Sequence, residues 1–531
     1  MSKLLLSLTI SILLSFSILV KSQDSKSDWE GGYPDGCTTV AVGKLASYDG
    51  SVMTSHTDDS HRTRSNLDIV PAMTHERDAM VTLYKRENDD TQKMPAYKNV
   101  PVGKIPQIEN TFGYINTAYP CINDQQVAIG ETTFGGREEL KSDKGLIDCQ
   151  RLCMLMLERG KTARDAIRIA GELLEEYGWN DYGEMLTIAD PNEVWVFEVV
   201  GPGKDKRGAV WAAQRVPDDH IFVGANGSRI RQIDINNPAY FMYSENVFDV
   251  AKENGWWKPE DGAFEFCYAY ADRNSLATRR REWRVFDLVA PSLKLHPNSE
   301  NYPFSVKPEK PITLEKMVEI FSDYYEGTEF NFVKDLTVTD DSGKTVISPL
   351  ANPFMPYDMN KLFKINGGWG WRGERTIARW YTMYATIIQC RSWLPNEIGG
   401  LVWLAWDNVA TSIYAPFYAG ITRVHKTSST DGRVTGFSRN SAWWAFNHLG
   451  TLAAQRWGDM RHDVRAVWDP WQAELFKKQK EIEDEALNLW KENRLKAKEF
   501  LTNYCSELQG KIVQTAWELA EQLWTKYDEL F

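Results

Sequence analysis

The segment Asp35-Gly36-Cys37-Thr38-Thr39-Val40-Ala41-Val42-Gly43 decides how the rest of the chain is interpreted. Thr38 to Val42 are β-branched or apolar, which predicts a buried strand. Asp49-Gly50 is typical of a hairpin turn, and Val52 to Thr54 predict the returning strand. This hairpin would bring the polar run His56-Thr57-Asp58-Asp59-Ser60 back beside the cysteine. The pattern therefore predicts a reactive thiol with polar neighbours.

The same residues carry a family resemblance. The pattern Cys37-Thr38-Thr39-x-x-x-Gly43-x-x-Ala46-Ser47-x-Asp49-Gly50-Ser51 resembles the start of the mature C69-type dipeptidases. Ser412 to Gly420 and Asn440 to Asn447 resemble further signatures of the same dipeptidases. Those dipeptidases are N-terminal-nucleophile (Ntn) hydrolases, with bile salt hydrolase and penicillin V acylase as more distant relatives. The resemblance implies an α+β fold, a four-layer αββα sandwich, in which Cys37 becomes the first residue of the mature enzyme. The alternative is a small buried cysteine that opens a core strand.

The N-terminus has the features of a secretory signal. Lys3 supplies a positive charge and Leu4 to Val20 form an apolar stretch, so residues 1–22 predict a signal peptide and a secreted or lumenal protein. An uncleaved anchor is the alternative, although we expect no stable membrane anchor. Residues 23–36 are polar and predict an exposed pro-segment. Cleavage of the Gly36–Cys37 bond would remove it; otherwise it stays attached as a leader tail.

Composition bounds the function. The chain has 531 residues, of which 43% are hydrophobic and 25% are charged, as is usual for a soluble globular protein. Its net charge of -12 argues against a nucleic-acid partner, because phosphate binding needs clustered lysine and arginine. We expect a small peptide as substrate and no cofactor, and a homo-oligomer stays open.

Seven cysteines leave at least one thiol unpaired, and a free Cys37 satisfies that parity. Cys149 and Cys153 are one helical turn apart, so their Cβ atoms lie about 5–6 Å from each other. A disulfide needs about 3.5–4.5 Å, and we therefore interpret this pair as core residues. No metal site is predicted, since no histidine or second cysteine pair lies at a suitable spacing.

The chain is divided into a catalytic domain, residues 37–465, and a C-terminal helical extension, residues 466–531. Thr162 predicts the cap of a helix from Ala163 to Tyr177. Further expectations are strands at 184–190, 193–200 and 401–407, a surface excursion at 75–100, a helix at 314–325, and a segment at 372–393 that is either helix or strand.

Two further catalytic residues follow from the resemblance. Ile221 to Ile230 resembles a family strand that ends in a Val-x-Ala-Asn step, which implies that Asn226 is the side-chain oxyanion donor. Asn226 also begins the only Asn-x-Ser/Thr sequence, so a glycan competes with that role. Arg281 is the better match to a site arginine and Arg284 the second; a solvated basic helix face is the alternative.

The remaining candidates surround the hairpin. Asp59 matches the aspartate that orients the N-terminal amine in the family, whereas His56 stands where the relatives most often carry arginine. His56 either replaces that arginine when protonated or acts as a base. Asp58 is a candidate partner for the α-amine of a substrate, and Thr132 and Thr133 are expected near the substrate. A solvated turn is the alternative for both aspartates.

These residues predict acyl transfer. The Cys37 thiol would attack an amide carbonyl, with its own freed α-amine as base, because that amine has a pKa of about 7.7–8.0. Asn226 and a backbone N–H near Thr132 would hold the oxyanion, and water would hydrolyse the thioester. A dipeptidase is the leading hypothesis. An amidase for non-peptide N-acyl amides and a catalytically silent binding protein are the alternatives.

Overall fold

The computed structural model describes residues 35–353 and 375–530. The predicted signal peptide, residues 1–22, and residues 23–34 of the predicted pro-segment lie outside these ranges. The chain is a mixed α/β structure of antiparallel sheets with a helical C-terminal region. The strands are β1 (Gly36–Val42), β2 (Val52–Asp59), β3 (Asp68–Val70), β4 (Met73–Thr74), β5 (Met80–Asp89), β6 (Ala96–Pro106), β7 (Asn110–Thr111), β8 (Tyr114–Asn116), β9 (Ile122–Asn123), β10 (Ala128–Gly135), β11 (Gly183–Ala189), β12 (Val194–Val200), β13 (Val210–Arg215), β14 (Ile221–Gly224), β15 (Phe241–Tyr243), β16 (Ser305–Val306), β17 (Thr337–Thr339), β18 (Thr345–Ile347), β19 (Thr382–Cys390), β20 (Leu401–Trp406) and β21 (Ala415–Tyr418). The helices are α1 (Cys149–Arg159), α2 (Ala163–Tyr177), α3 (Asp249–Glu253), α4 (Phe266–Tyr270), α5 (Leu276–Val289), α6 (Leu314–Phe321), α7 (Asn396–Gly399), α8 (Lys426–Ser429), α9 (Gly432–Thr435), α10 (Ala442–Gln455), α11 (Trp457–Glu492) and α12 (Arg494–Lys526).

The first sheet carries the cysteine. Its order is β16-β14-β1-β2-β19-β20-β21, and all neighbouring strands are antiparallel. The predicted hairpin is confirmed as β1 and β2, and it pairs Cys37 with Asp58. On its other edge β2 pairs with β19, which places Asp59 opposite Thr382. Residues 372–393, for which the sequence allows either a helix or a strand, therefore contain a central strand of this sheet, β19.

The second sheet has the order β15-β13-β12-β11-β10-β9-β8-β3. The predicted hairpin of β11 and β12 is confirmed. This sheet contacts the first through β10 and β11, where the Thr187 hydroxyl lies 2.9 Å from the Thr39 hydroxyl and 2.6 Å from the Thr54 hydroxyl. Gly130 permits this approach, because a Cβ atom there would collide with the carbonyl oxygen of Ser55.

Helices lie against both sheets. Thr162 caps α2 by accepting a hydrogen bond from the backbone of Asp165, as predicted, and α2 contacts β11 and β12. At the other end of the chain α10 contacts β20, and α12 contacts β21. The long helix α11 already begins at Trp457. Among the described helices, none combines the length and apolarity that crossing a bilayer requires.

Two expectations about local structure were wrong in detail. The excursion at 75–100 is on the surface, but it contains most of a regular hairpin, β5 paired with β6. Exposed, half-buried and buried residues follow one another in these strands without a regular period, so they lack the alternation that reveals a strand. The helix expected at 314–325 ends at Phe321. All seven cysteines are free, and Cys149 and Cys153 are fully buried core residues, as expected.

Candidate active site

The hairpin brings Cys37 to the wall of a cavity of about 1150 Å³. Cys37 follows Gly36 at the start of β1, and its side chain is buried. Of the four predicted substrate-binding residues, Asp58 and Thr133 also line the cavity, whereas His56 and Thr132 are buried behind its wall. The cavity therefore offers a substrate direct access to the thiol and to several buried carboxyl groups, Asp58 among them.

The Cys37 thiol contacts a buried carboxylate, Glu131, that no sequence motif indicated. Cys37 Sγ donates a hydrogen bond to Glu131 Oε2 at 3.3 Å, and His56 Nε2 lies 3.2 Å from the same oxygen. Burial raises the pKa of the Cys37 thiol well above its usual range, and the nearby carboxylates of Glu131, Asp58 and Asp59 raise it further. With the chain intact at Gly36, the thiol therefore keeps its proton.

Glu131 and Glu184 form a buried pair whose pKa values are shifted in opposite directions. Thr133 Oγ1 lies 3.2 Å from Glu131 Oε1 and 2.9 Å from Glu184 Oε1. Burial and the charge of Glu131 raise the pKa of Glu184 well above its usual range. Burial opposes ionisation of Glu131 too, but its contact with His56 outweighs that effect and lowers its pKa. Glu131 is thus the carboxyl group that ionises beside the thiol, while Glu184 holds its proton more tightly.

His56 is enclosed by aromatic rings. Tyr119 and Tyr384 pack edge-on against it, with ring centroids 5.4 Å and 5.6 Å away. Its Nδ1 atom lies 3.4 Å from the Tyr384 hydroxyl. The imidazole is therefore fixed behind the thiol and contacts Glu131, which fits a positioning role better than direct contact with a substrate.

Asn226 connects the two sheets at the nucleophile. It follows β14 with a φ of 59°, and its backbone N–H donates to Thr132 Oγ1 at 2.9 Å. Its Oδ1 accepts from the backbone N–H of Cys37 at 3.0 Å, and its Nδ2 donates to the Thr133 carbonyl at 2.8 Å. An amide nitrogen has a second hydrogen, which is available to a ligand. A glycan on Nδ2 would disrupt these contacts.

Arg281 holds the backbone around the nucleophile. From helix α5, its Nη1 donates to the Cys37 carbonyl at 2.7 Å and to Thr38 Oγ1 at 3.0 Å. Its Nη2 donates to the Ala225 carbonyl at 2.9 Å and to Asn226 Oδ1 at 3.0 Å. Burial and the neighbouring Arg375 charge lower the pKa of Arg281 to about 9.

Arg284, the second match, is bound elsewhere. Its guanidinium pairs with Asp323 at 2.8 Å and with Asp287 at 3.0 Å. It lies one turn further along α5 than Arg281. It binds two acidic side chains, whereas Arg281 binds the backbone of Cys37. The structure therefore separates the two arginines that the sequence left as alternatives.

Asp59 and Asp58 are buried and differently partnered. Asp59 accepts from Thr382 Oγ1 at 2.7 Å and forms an ion pair with Arg375, a residue that no sequence signal identified. Asp58 Oδ2 is buried without a hydrogen-bond partner among the described residues. Burial raises the pKa of Asp58 to about 7, against the opposing effect of the charge on His56. Asp58 thus presents a carboxyl group to the cavity that lacks a cationic partner of its own.

Two sets of side chains could hold a metal ion within the described ranges. Cys37, His56 and Glu131 each place one ligand atom within 4.8 Å of the others, and so do Glu131, Cys149 and Glu184. The first set is already joined by the thiol–carboxylate hydrogen bond, which supplies an ordinary explanation for its close packing.

The family model described as Peptidase family C69 matches residues 36–469. The chain therefore belongs to peptidase family C69 and is a peptidase. The matched region begins one residue before Cys37 and includes every predicted site residue.

Curated proteins extend this similarity along most of the chain. A probable dipeptidase of Latilactobacillus sakei is 24% identical over 519 residues, 93% of this chain and 96% of its own length. A probable dipeptidase of Salmonella dublin is 25% identical over 401 residues, which covers 72% of this chain and 81% of the relative. Dipeptidase A of Lactobacillus helveticus is 23% identical over 448 residues, with coverages of 81% and 83%. Dipeptidase function is thus supported at the level of the family.

Proposed function

We propose that this peptidase is a secreted cysteine dipeptidase whose nucleophile, Cys37, becomes N-terminal by cleavage of the Gly36–Cys37 bond. The carrying observation is the environment of that bond. A Cβ atom on Gly36 would collide with Arg375 Nη1 and lie 2.7 Å from Asn226 Oδ1, so the backbone before the cysteine is closely enclosed by candidate catalytic groups. Secretion rests on the character of residues 1–22.

Cleavage would change the state of the thiol. The freed α-amine has an ordinary pKa of about 7.7–8.0 and can accept the thiol proton near neutral pH. We assign Asp59 to orient this amine. Asp59 pairs with Gly36 across the hairpin, and its carboxylate is held in place by Arg375 and Thr382. The positive charge of the resulting ammonium also offsets the carboxylates that keep the thiol protonated before cleavage.

Acyl transfer then uses the surrounding groups. Cys37 Sγ adds to the carbonyl carbon of the dipeptide, and Asn226 Nδ2 donates its second hydrogen to the oxyanion. The C–N bond breaks as the leaving amine takes the proton, and water hydrolyses the thioester to release the acid and the thiol. Asp58 accepts the α-ammonium group of the dipeptide, because it lines the cavity directly opposite Cys37 in the hairpin and its Oδ2 lacks a hydrogen-bond partner among the described residues.

The finer fold assignment belongs to the same proposal. We infer the four-layer αββα sandwich of Ntn hydrolases, with α1 and α2 on one outer side and α10 to α12 on the other. The contacts of α2 with β11 and β12, of β1 with β10, and of α12 with β21 support this arrangement.

The test is the N-terminal sequence and intact mass of the secreted protein beside a Cys37→Ala variant. We expect wild type to begin at Cys37 and the variant to retain Gly36. Mature enzyme should hydrolyse free dipeptides and leave N-acetylated dipeptides and N-acyl amides largely intact. A wild-type protein that retains Gly36, or a preference for N-acyl amides, would contradict the proposal; the second result would favour the amidase alternative.

A further inference from the structure

A short turn after β2 binds the carboxylate of Asp35. This residue precedes Gly36, which is on the N-terminal side of the proposed cleavage bond. Ser60 Oγ donates to Asp35 Oδ2 at 2.8 Å, and the backbone N–H of His61 donates to Oδ1 at 3.1 Å. His61 Nδ1 lies 2.8 Å from the same Oδ1 atom. Three contacts thus converge on one carboxylate. We name Ser60 and His61 the carboxylate clamp.

The clamp is more deeply buried than the group it binds. Ser60 and His61 are 3% and 7% exposed, whereas the Asp35 side chain is 42% exposed. The His61 ring stacks on Tyr381 with centroids 4.3 Å apart, and its backbone carbonyl accepts from Arg433. Burial of Asp35 would raise its pKa, but the contact with His61 outweighs this and lowers it, so the bound side chain is ionised.

The clamp and the nucleophile belong to one cavity. Asp35, Gly36, Cys37 and Ser60 all line it, and Gly36 pairs with Asp59, the residue that precedes the clamp. The clamp therefore fixes the chain one residue before the bond that is proposed to break. Once that chain departs, the polar groups of two buried residues, Ser60 and His61, would remain directed at an empty position in the cavity.

We propose that the carboxylate clamp positions the precursor for cleavage by binding Asp35, and that in the mature enzyme it is a subsite for a carboxylate on the acyl side of a ligand. The inference rests on the proposed maturation. In that step Cys37 Sγ–H adds to the Gly36 carbonyl, the Gly36–Cys37 C–N bond breaks, and the proton passes to the Cys37 amine. Water then hydrolyses the Gly36 thioester, which releases a carboxylate and restores the thiol.

Asp35 allows a clean test, because it leaves with the pro-segment. Mature protein from an Asp35→Ala precursor has the same sequence as mature wild type, so any difference must arise during maturation. We expect Asp35→Ala to mature at least about tenfold more slowly, the effect of losing one charge-assisted hydrogen bond. Asp35→Asn should lie between the two. Asp28→Asn, which removes one charge from the same pro-segment, should mature at the wild-type rate.

A second measurement probes the vacated subsite in mature wild-type enzyme. Acetyl-Asp-Gly has the last two residues of the pro-segment and should inhibit dipeptide hydrolysis competitively, about tenfold more strongly than acetyl-Asn-Gly. A His61→Ala variant should reduce this preference for the acidic peptide. Folding of that variant is checked by its melting temperature.

The outcomes separate the two proposals. If wild type begins at Cys37 but Asp35→Ala matures equally fast and the two peptides inhibit equally, the clamp proposal is wrong and the proposed function stands. If wild type retains Gly36, the proposed maturation is wrong. In that case Asp35 still occupies the clamp, and the clamp proposal is overturned together with the maturation on which it rests.

Discussion

Cys37 and Glu131 are joined by a hydrogen bond from the thiol to an ionised carboxylate, with Sγ 3.3 Å from Oε2. A negative charge at this distance opposes formation of a thiolate, and burial acts in the same direction on the pKa of Cys37. The arrangement stores the nucleophile in its protonated form. It also makes Glu131 the residue through which His56 contacts the cysteine.

Removing the charge of Glu131 should allow the Cys37 thiol to ionise more readily. In a precursor that also carries Gly36→Val to slow cleavage, we expect Glu131→Gln to lower the pKa of Cys37. The measurement is the pH dependence of Cys37 alkylation by iodoacetamide, followed by peptide mass spectrometry, which should shift to lower pH by about one unit or more.

Glu184→Gln in the same background is the matched control. Burial and the charge of Glu131 raise the pKa of Glu184 well above its usual range, and Glu184 is not among the groups that contact the Cys37 thiol, so glutamine removes little charge from beside it. We expect the alkylation profile to stay within a few tenths of a pH unit. Equal shifts in both variants would show that the two carboxyl groups do not differ in charge.

Arg281→Lys should impair catalysis more than folding. The guanidinium contacts the Cys37 carbonyl, Thr38, the Ala225 carbonyl and Asn226, and a single ammonium cannot reproduce this planar set. Loss of hydrogen bonds to a charged group, about 1.5–3 kcal/mol each, predicts about a 100-fold decrease in kcat/KM of mature enzyme.

Arg284→Lys provides the comparison for Arg281 on the same helix. Its partners are Asp323 and Asp287, so we expect a lower melting temperature with kcat/KM within about threefold of wild type. A variant at Arg281 that lost no more activity than this one would remove Arg281 from the set of catalytic residues.

Asp58→Asn should stabilise the protein in a pH-dependent way. Burial raises the pKa of Asp58 from 3.8 to about 7, so the folded state binds this proton more tightly than the unfolded state. The destabilising effect of Asp58 therefore grows as pH rises from about 4 to about 7. The difference in unfolding free energy between variant and wild type should be small near pH 4 and reach up to about 4 kcal/mol above pH 7.

Melting temperatures measured from pH 4.5 to 8 would check the Asp58 prediction. His56, Glu131 and Asp35 face Asp58 and contribute to its environment, but they are the same in both proteins. A difference that is constant across this range would mean that Asp58 is already ionised at the acidic end.

A buried ion pair connects the C-terminal helix α11 to the sheet that carries Cys37, and its loss should destabilise the protein. Arg391, directly after β19, pairs with Glu483 of α11, which also accepts from Gln479 at 3.0 Å. Glu483→Gln would leave a buried arginine without its anion, and we expect a loss of roughly 3 kcal/mol in unfolding free energy. Asp484→Asn breaks only the exposed pair with Lys480 and should leave the unfolding free energy nearly unchanged.

Local sequence patterns were sufficient for the hairpin around Cys37. The β-branched run and the Asp-Gly turn predicted β1 and β2, and thereby the proximity of Cys37 to Asp58 and Asp59. The cap at Thr162 was equally clear, because an N-cap depends only on residues within one helical turn.

The contacts of the site with distant residues could not be predicted in this way. Arg375 and Thr382 reach Asp59 across more than 300 residues, and no local pattern encodes such a register. Glu131 did leave a signal: a carboxylate within the otherwise apolar or small strand β10 must have a buried partner. The alternatives at Arg281 and Arg284 were likewise separable only by the direction of each side chain from helix α5.

The position of β1 between β14 and β2, with β19 as the next strand, has a consequence for biosynthesis. Cys37 leaves the ribosome early, but Asn226, Arg281 and Thr382 are translated much later. A nascent chain therefore carries the thiol without the groups that would activate it. The timing of translation itself keeps the nucleophile inactive until the chain has been made as far as Thr382.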